Sequence, residues 1–127
     1  MNPLDVKDSV LDPDSSDRSI RYQPLVQDDD RALYRVFVYL DGPALPFVES
    51  VTYTLHETFP DRTRTIRRTP ANPSCKLEIR TWGTFEVIAE VLEKSGRSFR
   101  LTHPLTYDRE IKEAIDRNET QRFQAVA

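Results

Sequence analysis

The sequence predicts an all-β domain: an immunoglobulin-like antiparallel β-sandwich with a disordered acidic N-terminus and a short C-terminal helix. Three observations predict it. From Tyr34 onward apolar and polar residues alternate in short runs, as strands with one buried face require. Gly-, Pro- and Asp-bearing turns separate six or seven such runs, the count of a small sandwich. Helical spacing of apolar residues begins only near the end, at Asp108.

The start is acidic. Residues 1–30 carry eight Asp against Lys7, Arg18 and Arg21, a local charge of −5 in a chain of −3. Such a stretch buries too little apolar surface to offset chain entropy, so residues 1–18 are expected to be a disordered tail. Ile20 to Val26 reads as a strand that Pro24 confines to an edge. In the next run Tyr34, Val36, Val38 and Leu40 share one face, while Phe37 and Tyr39 make the other apolar, as in a central strand. Asp41-Gly42-Pro43 ends it as a turn. Val51, Tyr53 and Leu55 then alternate with Thr52, Thr54 and His56. Cys75, Leu77 and Ile79 alternate with Lys76, Glu78 and Arg80. Phe85, Val87, Ala89 and Val91 form a fourth series, closed by Ser95-Gly96, and Phe99 and Leu101 a fifth. The predicted core is Val51, Tyr53, Leu55, Leu77, Ile79, Phe85, Val87 and Val91. Asp108 is positioned to cap a helix bearing Ile111, Ala114 and Ile115 on one face. With 127 residues the chain fits one folded unit. The expected division is a tail over 1–18, a sandwich over 19–106 and a helix or tail over 107–127.

Composition excludes several function classes. No apolar run approaches the ~20 residues needed to span a bilayer, so no membrane insertion is expected. The N-terminus lacks the basic-then-apolar pattern of a secretory signal. Cys75 is the only cysteine, so no internal disulfide can form, and a lone thiol fits the reducing cytoplasm. The acidic balance argues against nucleic acid as the main partner.

His56 is the one tempting catalyst, with Cys75, Thr58 or Ser74 as candidate nucleophiles. Alternation points Cys75 into the core, where a thiol is inert. His103 precedes Pro104 and has no spacing relation to His56. None of the short ligand spacings of zinc sites appears. No catalytic residue, metal or cofactor is therefore expected, and His56 reads as a strand-end residue bonding a neighbouring loop. The basic run Arg62, Arg64, Arg67 and Arg68, with Lys76 and Arg80, reads first as a solvated hairpin face. Contact with phosphate, an acidic peptide or the acidic tail stays open. Trp82 falls at a break between strands, between Thr81 and Gly83. Its ring is either a plug under the end of the sandwich or an amphipathic surface at a recognition site.

Two motifs about twenty residues apart carry a resemblance. Val51-Thr-Tyr-Thr-Leu-His-Glu-Thr-Phe-Pro60 and Thr81-Trp-Gly-Thr-Phe-Glu-Val87, with the upstream run Tyr34 to Gly42 and the later Leu101-Thr-His103, resemble the YEATS domain in its prokaryotic branch. The likeness covers roughly residues 20–105. It implies an eight-stranded immunoglobulin-like sandwich and, from the eukaryotic members, a reader of acylated lysine. Carried over, His56, Thr58 and Phe59 line one side of a channel, and Thr81, Trp82 and Gly83 the other. A planar acyl amide would stack between Phe59 and Trp82, bonded to the Thr58 hydroxyl and the Trp82 backbone N–H.

Together these readings give a non-enzymatic protein-binding module. It is expected to recognise a protein or modified-lysine segment through loops 56–60 and 80–84, as an adaptor in a prokaryotic signalling or effector system. The competing reading is a scaffold whose loops bind nothing and whose segment 108–127 mediates assembly. Neither the partner's identity nor the oligomeric state is written in the sequence.

Overall fold

In the computed structural model, which describes residues 3–15, 24–28 and 31–126 (side chains through 116), period-two alternation builds two antiparallel sheets. The first comprises β1 (Asp5–Ser9), β2 (Val26–Asp28), β3 (Arg31–Asp41) and β6 (Leu77–Thr81). β3 is its centre, pairing with β6 on one edge and with β1 and β2 in succession on the other. The second sheet runs β5 (Thr63–Arg67), β4 (Val48–Thr54), β7 (Glu86–Glu93) and β8 (Ser98–Pro104). Helix α1 (Tyr107–Val126) closes the chain. The all-β sandwich expected from alternation is what forms.

The inward residues of both sheets meet in one core. Val36, Val38, Val51, Tyr53, Val87, Ala89 and Val91 are fully buried, as are Leu55 and Cys75 within a percent. Phe85 departs from the expected core set: it is partly buried and packs at the core's margin. The Tyr53 hydroxyl donates to the Cys75 carbonyl at 2.8 Å, giving a buried polar tip its partner. Burial holds the Cys75 thiol up at about 11, with Arg68 pulling weakly the other way, so this sulfur stays protonated and inert.

The acidic start corrects the expectation of a disordered tail over 1–18. Asp5–Ser9 pair with Asp41–Phe37 in register, and Leu4, Val6 and Val10 are core residues. The reason is parity: residues 4, 6, 8 and 10 point inward, and three of the four are apolar. A charge sum cannot see that alternation. The fourth, Asp8, is buried with its charge satisfied. Its carboxylate accepts from His103 Nε2, the Thr106 and Tyr107 backbone N–H groups and the Thr106 hydroxyl, at 2.6–3.0 Å. Residues 16–18 of that expected tail lie outside the described residues, as does most of the expected strand 20–26. Its described end belongs to β2, at an edge.

The last segment is likewise continuous with the sandwich. Helix α1 starts at Tyr107, one residue before the Asp108 cap expected from sequence, and Asp8 receives the N–H groups at its start. Glu110 Oε1 accepts from the Ser9 hydroxyl and the Val10 N–H. Ile111 and Ala114 are buried, whereas Ile115 is exposed at 39%. The divisions expected near residues 18 and 107 therefore separate pieces of one packed structure. Gly42 permits the join at the other end, since a Cβ there would lie 2.5 Å from the Pro3 carbonyl oxygen.

Candidate functional site

Two loops at one end of the sandwich enclose a cleft of about 490 Å³. The first leaves β4 and is pinned at its base: the Leu55 N–H donates to the Arg62 carbonyl at 2.7 Å, and Arg62 Nε returns a bond to the Leu55 carbonyl. Within it the Phe59 N–H donates to the His56 carbonyl, a turn that brings both rings to one side. The Thr58 N–H donates to His56 Nδ1 at 3.2 Å, so Nδ1 carries the lone pair and Nε2 the proton. The Thr58 hydroxyl also lies 2.9 Å from that nitrogen.

The second loop joins β6 to β7. Thr81 is only 6% exposed, and its hydroxyl donates to the Gly83 carbonyl at 2.8 Å while accepting the Gly83 N–H. The Tyr107 hydroxyl donates to the same carbonyl at 2.9 Å. Burial pushes that phenol up to about 12, which keeps it a donor at neutral pH. Trp82 is thus carried on a loop held from inside by Thr81 and from behind by the helix. Trp82 is 38% exposed. The Arg31 guanidinium stacks 4.5 Å from the ring centroid.

All six sequence-predicted residues, His56, Thr58, Phe59, Thr81, Trp82 and Gly83, line this cleft. Pro60, Arg80 and Thr84, inside the expected loops 56–60 and 80–84, line it too, whereas Arg31 and Phe85 were missed as site residues. Phe85 lies between the others, its ring 5.4 Å from Phe59 and 6.0 Å from His56. The signal was present: Phe85 stands in the second motif where a strand begins, so its inward ring falls at the sandwich end instead of mid-core. Behind Trp82 a shallower cleft of about 400 Å³ shares Arg31 and is bounded by Tyr34, Tyr107 and Asp108. A larger cleft of about 650 Å³ opens between β1 and β8; Leu101, Thr102 and His103 line it, but no residue of the two loop motifs does.

A model of the prokaryotic YEATS domain matches residues 34–106. The chain belongs to that family. The structure of the Yaf9 YEATS domain recognising an H3K122suc peptide aligns with this YEATS domain at a TM-score of 0.53 and 18% identity, covering 83% of this chain and 70% of that one. The yeast AF-9 homolog Yaf9 aligns at 0.50 and 20%, covering 67% and 57%, so the chain spans little more than half of that protein's chain. The Yaf9 YEATS domain bound to H3K27ac aligns at 0.50 and 21%, covering 66% and 60%. At these identities the likeness carries the fold. No curated protein matches the sequence.

The family match begins at Tyr34, so β1, with Asp8, lies outside it. A histidine does stand against a hydroxyl, His56 against Thr58. That nitrogen is already shared with the Thr58 N–H. The bond is local, two residues apart, and shapes the loop. His103, the other histidine, faces Asp8 at the junction of β8 and the helix. Among the described residues no three His, Cys, Asp or Glu side chains gather to hold a metal ion, and no helix is long and apolar enough to cross a membrane.

Proposed function

We propose that this YEATS domain is a non-enzymatic reader that takes a modified lysine side chain, or a protein segment presenting one, into the cleft between loops 56–60 and 80–84. One observation carries the reading: Phe59, Phe85 and Trp82 line a single open cleft together with the His56–Thr58 hydrogen-bonded pair. The complexes of the Yaf9 YEATS domain with an H3K122suc peptide and with H3K27ac support it by analogy.

In this reading a flat, neutral acyl amide stacks on the aromatic walls. Its N–H donates to the Thr58 oxygen, whose own proton points to His56, and its carbonyl accepts from the Trp82 N–H. An unmodified lysine would have to shed water from its ammonium group beside Arg31 and Arg80, which disfavours it. The setting we assign is cytoplasmic, as an adaptor in a prokaryotic signalling or effector system.

The test compares an acetyl-lysine peptide with its unmodified twin on wild type and Trp82→Ala, with melting curves of both proteins. A few kcal/mol from stacking and two hydrogen bonds gives micromolar or weaker affinity. The reading expects binding that needs both the acyl group and Trp82, with nearly unchanged melting. Equal binding of both peptides, or a variant that binds as well as wild type, overturns it.

A further inference from the structure

The cleft is lined by cations and by no acid. Arg31, Arg80 and His56 contribute its titratable groups; no Asp or Glu among the described residues lines it. Arg31 stacks on Trp82, and among the described residues it makes no ion pair, although Asp28 stands opposite it in the β2–β3 register. Arg80 stands directly opposite Arg35 in the β3–β6 register. Like charges opposed on one face of a sheet repel. Parity brings Arg31, Arg35 and Arg80 to the outer face of the first sheet, next to the cleft mouth.

Several other cations of the surface are matched by carboxylates. Lys76, farther along the same face, is held by Asp12 at 2.8 Å and Asp14 at 3.1 Å. Lys7, Arg67 and Arg100 each have a carboxylate partner. In a chain of net charge −3, Arg80 opposed to Arg35, whose nearby acid is Asp12, and Arg31 without an ion pair among the described residues give the cleft mouth a local field of the opposite sign.

We infer that the segment seated at this cleft is acidic, carrying Asp or Glu on either side of the side chain it inserts, with Arg31 and Arg80 as specificity-determining residues. This rests on the cleft being the binding site proposed above. Carboxylates there would relieve the Arg35–Arg80 repulsion on binding, and a lysine- and arginine-rich tail would meet like charge.

The experiment measures fluorescence anisotropy of labelled acetyl-lysine peptides with acidic, neutral or basic flanks, plus an unacetylated acidic peptide, at low and high salt. The acidic flank should bind about tenfold tighter than the basic one at low salt, and the gap should shrink at high salt. Arg80→Glu should reverse the order while melting no lower than wild type, because Glu opposite Arg35 is an attractive pair. Equal binding of all acetylated peptides overturns the charge inference and leaves the acyl slot standing. Equal binding of acetylated and unacetylated acidic peptides does the reverse. Absence of binding by every peptide overturns both. A single-stranded oligonucleotide that binds tighter than the acidic peptide overturns the inference in favour of phosphate.

Discussion

Asp8 of the first strand lies 2.6 Å from His103 of the last, Oδ1 against the imidazole Nε2, and ties the two ends of the chain together. The same carboxylate holds the start of helix α1 through Thr106 and Tyr107. Replacing Asp8 with Ala leaves several donors without an acceptor inside the protein. The expected loss is about 3 kcal/mol, read as a lower denaturation midpoint with an unchanged slope. Trimming the chain to residue 12 should cost more, because Leu4, Val6 and Val10 leave the core with it. A trimmed protein melting like wild type would refute this placement of β1.

The same group sets a pH dependence. Burial pushes the Asp8 carboxyl up, but the bonds from His103 and Thr106 outweigh it and leave the folded value below the ordinary one. A folded pKa below the unfolded value, about 3.9, means the stabilisation is complete above that pH and is lost as pH falls through the folded value. Stability should therefore drop in acid below about pH 4, and drop less steeply in Asp8→Asn. Parallel pH profiles for the two proteins would count against it.

Gly42 and Gly96 make a matched pair. Both have positive φ, 139° and 92°, but a Cβ at Gly42 meets the Pro3 backbone and one at Gly96 meets nothing within 4 Å. Gly96→Ala should cost only the backbone term of roughly 1–2 kcal/mol. Gly42→Ala should cost clearly more, and that excess should vanish once residues before Asp5 are removed. Equal melting shifts for the two variants would disprove the close approach.

Val87 is fully buried near the start of β7. Val87→Asp places an unpaired charge in the shared core and should abolish cooperative unfolding near neutral pH. A normal melt would mean that the two sheets do not pack as described.

Tyr107→Phe removes one of the two hydroxyl bonds to the Gly83 carbonyl. About 1 kcal/mol of stability should go with it. Trp82 is the only tryptophan, so its fluorescence anisotropy reports the loop directly and should fall. Unchanged anisotropy would show that Thr81 alone fixes the loop.

What the sequence determined by itself was whatever depends on nearest neighbours along the chain. Alternation located β3, β4, β6, β7 and β8, because a strand's two faces follow from parity alone. The two loop motifs were likewise legible, since each is a short run of residues ending a strand. Only the tertiary structure decided which distant pieces complete them. Arg31 reaches Trp82 across fifty positions, and Tyr107 reaches Gly83 from the helix. Asp8 looked like one more charge in an acidic stretch. Its role depends on donors ninety-five and more residues later, which no local pattern encodes. A buried charge is tolerated only where the fold delivers its partners, so a composition argument that reads acidity as disorder fails where such partners arrive from the far end of the chain.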